Sequence, residues 1–126
     1  MDFADLTGIA GYCEKIAEPA DSASRYGSGL VDVFSTPALV AFVEKTCMLS
    51  VNENLPEGYS TVGVRIELTH EKATPIGKMV YCNSTVSNID GKKIRFEVVA
   101  CDEKGIIGRG YHDRYIIEVS SFMAKL

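Results

Sequence analysis

The sequence predicts an α+β fold: one long apolar helix packed against an antiparallel sheet that curves around it. Three observations predict it. The run 35-STPALVAFVEKTCMLSV-51 is almost wholly apolar and opens with helix-start residues. Four later segments have strand length and strand composition. Short turn signals join most of them, which suits hairpins and therefore antiparallel pairing.

Residues 1–24 are weakly patterned. Pro19 and the small, polar run Ala20–Ser24 read as a turn or loop after a first strand or short helix. The helix comes next. Ser35 or Thr36 caps it, and Pro37 suits its first turn because the missing N–H has no partner there in any case. The stop signals Asn52–Gly58 end it. Thr61–Glu71 then alternates, with Val62, Val64, Ile66 and Leu68 on one face and Gly63, Arg65, Glu67 and Thr69 on the other. Lys78–Asn88 is the next strand. Asp90-Gly91 is a hairpin turn in which both positions tolerate positive φ. Lys93–Cys101 follows, then the turn Asp102–Gly105 and a long strand, Ile106–Val119. The glycines at its start, Gly105, Gly108 and Gly110, predict bending or close approach of another backbone.

At 126 residues the expectation is a single domain over 1–126, with 1–11 as a loosely ordered N-terminal extension. A hydrophobic share of 46% and a charged share of 24% exclude a disordered chain. A net charge of −4, with no basic cluster longer than Lys92-Lys93, argues against nucleic acid as a partner. No apolar run reaches membrane-span length, and the start lacks a basic n-region and a continuous h-region, so the expected location is the cytoplasm. The four cysteines form no CxxC and are expected to be reduced and mostly buried. The two histidines show no metal-ligand spacing, so no metal is expected.

Two residues break the apolar pattern. Glu44 sits mid-helix; at about 100° per residue it falls beside Val40, Ala41, Cys47, Met48 and Val51, which predicts a carboxylate within an apolar face. His70 continues the face of Val62 to Leu68 and so points toward the helix. An imidazole with a carboxylate partner can activate water or a hydroxyl, and Thr36 offers a hydroxyl at the helix start. The span from Thr36 to Glu44 is eight helical residues, a rise of about 12 Å. Either the chain at Thr36 is not yet helical, or His70 and substrate lie between the two groups.

Taken together, Val33–Pro37, Glu44, Gly63, Thr69-His70, Pro75-x-Gly77 and Gly110–Arg114 resemble the fluoroacetyl-CoA thioesterase-like family over residues 12–119. The resemblance implies the hotdog fold, a long central helix wrapped by a curved antiparallel sheet, and a homodimer whose sheets join edge to edge. It implies a catalytic set of Thr36, Glu44 and His70, with Gly63 shaping the substrate pocket and Arg114 supporting the site or the acyl end. The implied reaction is hydrolysis of a thioester with coenzyme A leaving. No cofactor is implied, since coenzyme A is part of the substrate. Tyr26–Leu30 is small and glycine-rich, and if it lines the acyl pocket, that pocket is roomy. The expected substrate is therefore a generic small or medium acyl-CoA. Two other readings use the same pocket: a non-catalytic acyl-CoA-binding module and a dehydratase of hydroxyacyl thioesters.

Overall fold

The computed structural model describes residues 2–126. Five strands, β1 (Ala10–Ile16), β2 (Tyr59–His70), β3 (Met79–Asp90), β4 (Lys93–Asp102) and β5 (Gly105–Glu118), form one antiparallel sheet in the order β1-β3-β4-β5-β2. A one-turn helix, α1 (Ala23–Tyr26), precedes the long helix α2 (Thr36–Asn52), and a short α3 (Val119–Ala124) follows the last strand. The layout is the expected α+β one, with α2 lying across the sheet. Its Leu39, Val43, Cys47 and Val51 are fully buried, as are Val80, Ile94, Phe96, Val98 and Ile116 of the sheet. Burying a side chain of this size contributes about 1.5–3 kcal/mol.

The helix start follows local chemistry. Ser35 is the N-cap, its Oγ accepting the Ala38 N–H at 3.2 Å, and Pro37 lies in the first turn. The β3–β4 hairpin closes on Asp90 paired with Lys93, so its turn is Gly91-Lys92. Only Gly91 takes positive φ (62°); Asp90 stays in the strand. The glycine cluster of β5 marks a close approach, as expected: a Cβ on Gly108 would sit 2.5 Å from the Thr69 carbonyl oxygen, and one on Gly110 would collide with that of Glu67.

Three expectations need correction. The segment thought to be a loose extension is packed, with Phe3 and Leu6 buried in the core and Gly8 donating its N–H to the Val86 carbonyl at 2.9 Å. The alternation of β2 is broken by a bulge. Gly63 pairs with Arg114 and Arg65 with Asp113, which leaves Val64 unpaired. Thr61 and Gly63 therefore share the helix-facing side with Ile66, Leu68 and His70, while Val64 is exposed. Glu44 is not buried among apolar neighbours either: β2 is an edge strand, and the Glu44 side chain beside it is 41% exposed.

All four cysteines are free; Cys47 and Cys82 are buried, and Cys13 and Cys101 are partly so. No helix among the described residues is long and apolar enough to cross a membrane.

Candidate active site

The five candidate residues fall into two groups along the β2 edge. In the first, Thr36 opens α2 and His70 closes β2, and the two meet: Thr36 Oγ1 lies 2.8 Å from His70 Nδ1. Burial pushes the His70 imidazole below its usual 6.5, with the backbone of Lys72 pulling partly the other way. The ring is thus neutral at pH 7. With its proton on Nε2, the Nδ1 lone pair accepts the Thr36 hydroxyl. Nε2 itself is buried and has no partner at hydrogen-bond distance among the described residues.

Backbone donors are scarce at this helix start. Pro37 has none, and the Ala38 N–H is taken by Ser35 and that of Leu39 by the Ser35 carbonyl. The Thr36 N–H is what the first turn offers to a developing oxyanion.

The second group gathers around Glu44, two turns further along α2. Gly63 is what lets the carboxylate in, because a Cβ there would stand 2.7 Å from Glu44 Oε2. Arg114 is buried and held firmly: Nε donates to Thr61 Oγ1 at 2.7 Å, Nη2 to the Thr61 carbonyl at 2.9 Å, and Nη1 to His112 Nε2 at 3.1 Å. Burial pushes the guanidinium pKa down and Glu44 opposes that shift. Glu44, Met48, Thr61, Gly63 and Arg114 line a cleft of about 360 Å³. A larger cleft of about 430 Å³, lined by Cys13, Lys15, Tyr26 and Phe42, contains none of the five candidates.

Within one chain the structure joins Thr36 to His70, and Glu44 to Gly63 and Arg114, but it does not join the two groups. Thr36 is already the first residue of regular helix, so the rise of about 12 Å to Glu44 stands. The imidazole beside Glu44 is that of His112, not His70. In the sequence His112 stands only as part of the Gly110–Arg114 motif, with no role of its own. It is 1% exposed, and the alternation Gly110, His112, Arg114 would have placed it on the site face.

Of the segment Tyr26–Leu30, Tyr26 lines that larger cleft, whereas Leu30 is 98% exposed. Three surface cations are already paired, Arg95 and Lys93 with Asp113, and Arg109 with Glu71.

Comparison with known proteins assigns a family and a fold. The family model described as fluoroacetyl-CoA-specific thioesterase matches residues 17–120. The fluoroacetyl-CoA thioesterase of Streptantibioticus cattleyicolor is 32% identical over 95 residues, covering 75% of this chain and 68% of that protein. The chain belongs to the fluoroacetyl-CoA thioesterase family. Its relatives here are thioesterases, and thioester hydrolysis is the class of reaction that membership brings. Among solved structures, a variant of the fluoroacetyl-CoA-specific thioesterase in complex with fluoroacetate and CoA is 25% identical, with a TM-score of 0.87 over 92% of this chain and 98% of that one. A hot-dog-like protein from Thermanaerovibrio acidaminovorans superposes with a TM-score of 0.90 at 24% identity, over 99% and 94% of the two chains. The fold of this family member is thus the hotdog.

Proposed function

We propose that the protein is an acyl-CoA thioesterase that hydrolyses a small or medium acyl-CoA to the free acid and CoA, working as a cytoplasmic homodimer without a cofactor. The observation that carries the reading is the 2.8 Å contact between Thr36 Oγ1 and His70 Nδ1. These residues are 34 positions apart, and the contact pairs a hydroxyl with a neutral imidazole base at a helix N-terminus.

Two routes use this pair. In one, Thr36 Oγ1 attacks the thioester carbonyl as its proton passes to His70. The C–S bond breaks, His70 returns the proton to the leaving thiolate, and water then cleaves the acyl–threonine ester. In the other, Thr36 and His70 hold and deprotonate a water that attacks directly. In both, Glu44 is a second base or an anchor, oriented by Arg114, and the Gly63 gap keeps its place open.

A dimer supplies what the single chain lacks. The free edge of β2 carries Gly63 near one end and His70 at the other. Antiparallel pairing of two such edges about a two-fold axis near Ile66 would bring the Thr36–His70 pair of one protomer beside Glu44 of the partner subunit.

The test is release of free thiol from acyl-CoAs of increasing chain length, with His70→Ala and Thr36→Ala in parallel. Turnover that collapses in His70→Ala supports the reading, and an acyl group trapped on Thr36 selects the nucleophilic route. Binding with no thiol release would instead indicate an acyl-CoA-binding module, and water loss from a hydroxyacyl thioester would indicate a dehydratase.

A further inference from the structure

Asp102 ends β4, a strand that carries none of the residues assigned above, and it is buried. A carboxylate in that position is costly unless its oxygens are fully paired. Here they are. Oδ1 accepts Lys72 Nζ at 2.6 Å and the Lys104 N–H at 2.8 Å; Oδ2 accepts Thr74 Oγ1 at 2.9 Å. Fixing the β4–β5 turn needs only the Lys104 contact. The other two reach a different loop, the one that follows His70.

That loop also meets the chain leading into α2. Thr74 is fully buried, and its carbonyl accepts the Phe34 N–H at 2.9 Å, two residues before Thr36. Val33 forms an isolated bridge with Pro75 beside it. Lys72 lies two residues after His70, and its N–H and that of Glu71 both donate to the Ile107 carbonyl. The contacts make a closed ring: Thr36 to Phe34 along the chain, Phe34 to Thr74, Thr74 to Asp102, Asp102 to Lys72, Lys72 to His70, and His70 back to Thr36.

We propose that Asp102 is a positioning residue for the reaction: through Thr74 and Lys72 it sets the distance between the Thr36 hydroxyl and the His70 imidazole. The proposal rests on the reading of that pair as the reacting one. Charge-assisted hydrogen bonds suit the task because they are short and stiff, and a misplacement of about 1 Å can cost about a hundredfold in rate.

The test exploits the presence of only two histidines, His70 and His112, whose ring nitrogens are resolved in a nitrogen–proton spectrum of imidazole-labelled protein. Thr74→Val removes the hydroxyl at nearly constant shape. It should move the His70 ring resonances, leave those of His112 in place, and lower kcat about tenfold with KM within about twofold. Thr74→Ser should restore both readouts, which a loss of packing alone would not allow. Lys72→Met, at a partly exposed side chain, tests the other arm even if Thr74→Val does not fold, and should shift the same His70 resonances less. Unchanged His70 resonances in the variants that fold would overturn the proposal. Wild-type protein that releases no thiol from any acyl-CoA would defeat the thioesterase reading instead, while the ring spectra would still decide the role of Asp102.

Discussion

Glu44 Oε2 lies 3.9 Å from His112 Nε2, yet the two do not form an ion pair. That nitrogen already accepts Arg114 Nη1, and the Nδ1–H of the same ring donates to the Arg65 carbonyl at 2.8 Å. Burial lowers the His112 pKa below 6.5 and Arg114 adds to the effect, against the Arg65 carbonyl. His112 is therefore a neutral spacer that aims Arg114, and the cation facing Glu44 is the guanidinium.

Replacing that guanidinium with a point charge should be costly. Arg114→Lys cannot serve both Thr61 and His112, since an ammonium lacks the planar fork. The expected result is a kcat reduced about tenfold or more, with about 1–3 kcal/mol lost from stability through the stranded Thr61 carbonyl and His112 nitrogen. Thiol-release kinetics and urea denaturation check the two halves separately.

Gly63→Ala should separate activity from folding. Gly63 does not have positive φ, so its backbone accepts alanine; the nearest atom to a Cβ there is the far end of the flexible Glu44 side chain at 2.7 Å, and the buried His112 Cε1 at 3.2 Å must give by a few tenths of an ångström. Activity is expected to fall about tenfold while Tm stays within about 3 °C of wild type, because the displaced carboxylate swings out and the alanine restricts the unfolded chain slightly. A Tm collapse would mean that the buried His112 ring or the strand, not the carboxylate alone, had moved.

A complementation experiment tests whether the two groups work across a dimer. Thr36→Ala and Glu44→Ala subunits are each expected to be inactive. Mixed and allowed to exchange, about half of the dimers pair one of each, and every such dimer has one site with both residues intact. About a quarter of wild-type turnover should return. If both residues of a site came from one chain, nothing would return.

The pH dependence follows from the two imidazoles, both held below 6.5 by burial. His70 must be neutral to accept a proton, so the acid limb of kcat/KM should have its midpoint below 6.5 and flatten above it. Stability follows the same sign. Between the folded pKa values and 6.5 the unfolded chain binds more protons, so stability is full above 6.5 and is lost as the pH falls through the folded values. Thiol release and denaturation midpoints measured from pH 4.5 to 8 check both.

The helix was legible because its signals are local: Ser35 caps, Pro37 starts, and an apolar run fills the middle. His70 was placed on the helix side correctly, but by counting through a strand whose first half is out of phase. The bulge at Val64 arises from pairing with β5, some 50 residues later, and no local pattern announces it. Glu44 shows the complementary gap. A helical wheel fixes its direction but not whether a sheet lies there, and the nearest strand turned out to be an edge. His112 went unread because its role needs the Arg65 carbonyl, 47 positions away, and the Arg114 fork.

The bulge at Val64 also divides β2 into two work zones. With Val64 paired and no bulge, a strict two-residue alternation would turn either Thr61 and Gly63 or Ile66, Leu68 and His70 toward solvent. Leaving Val64 out of the pairing lets a polar anchoring end and an apolar, histidine-tipped end face the same helix. Drawing Val64 into the ladder would act as a frame error in space: every residue would keep its identity, and half the strand would present its chemistry to the wrong side.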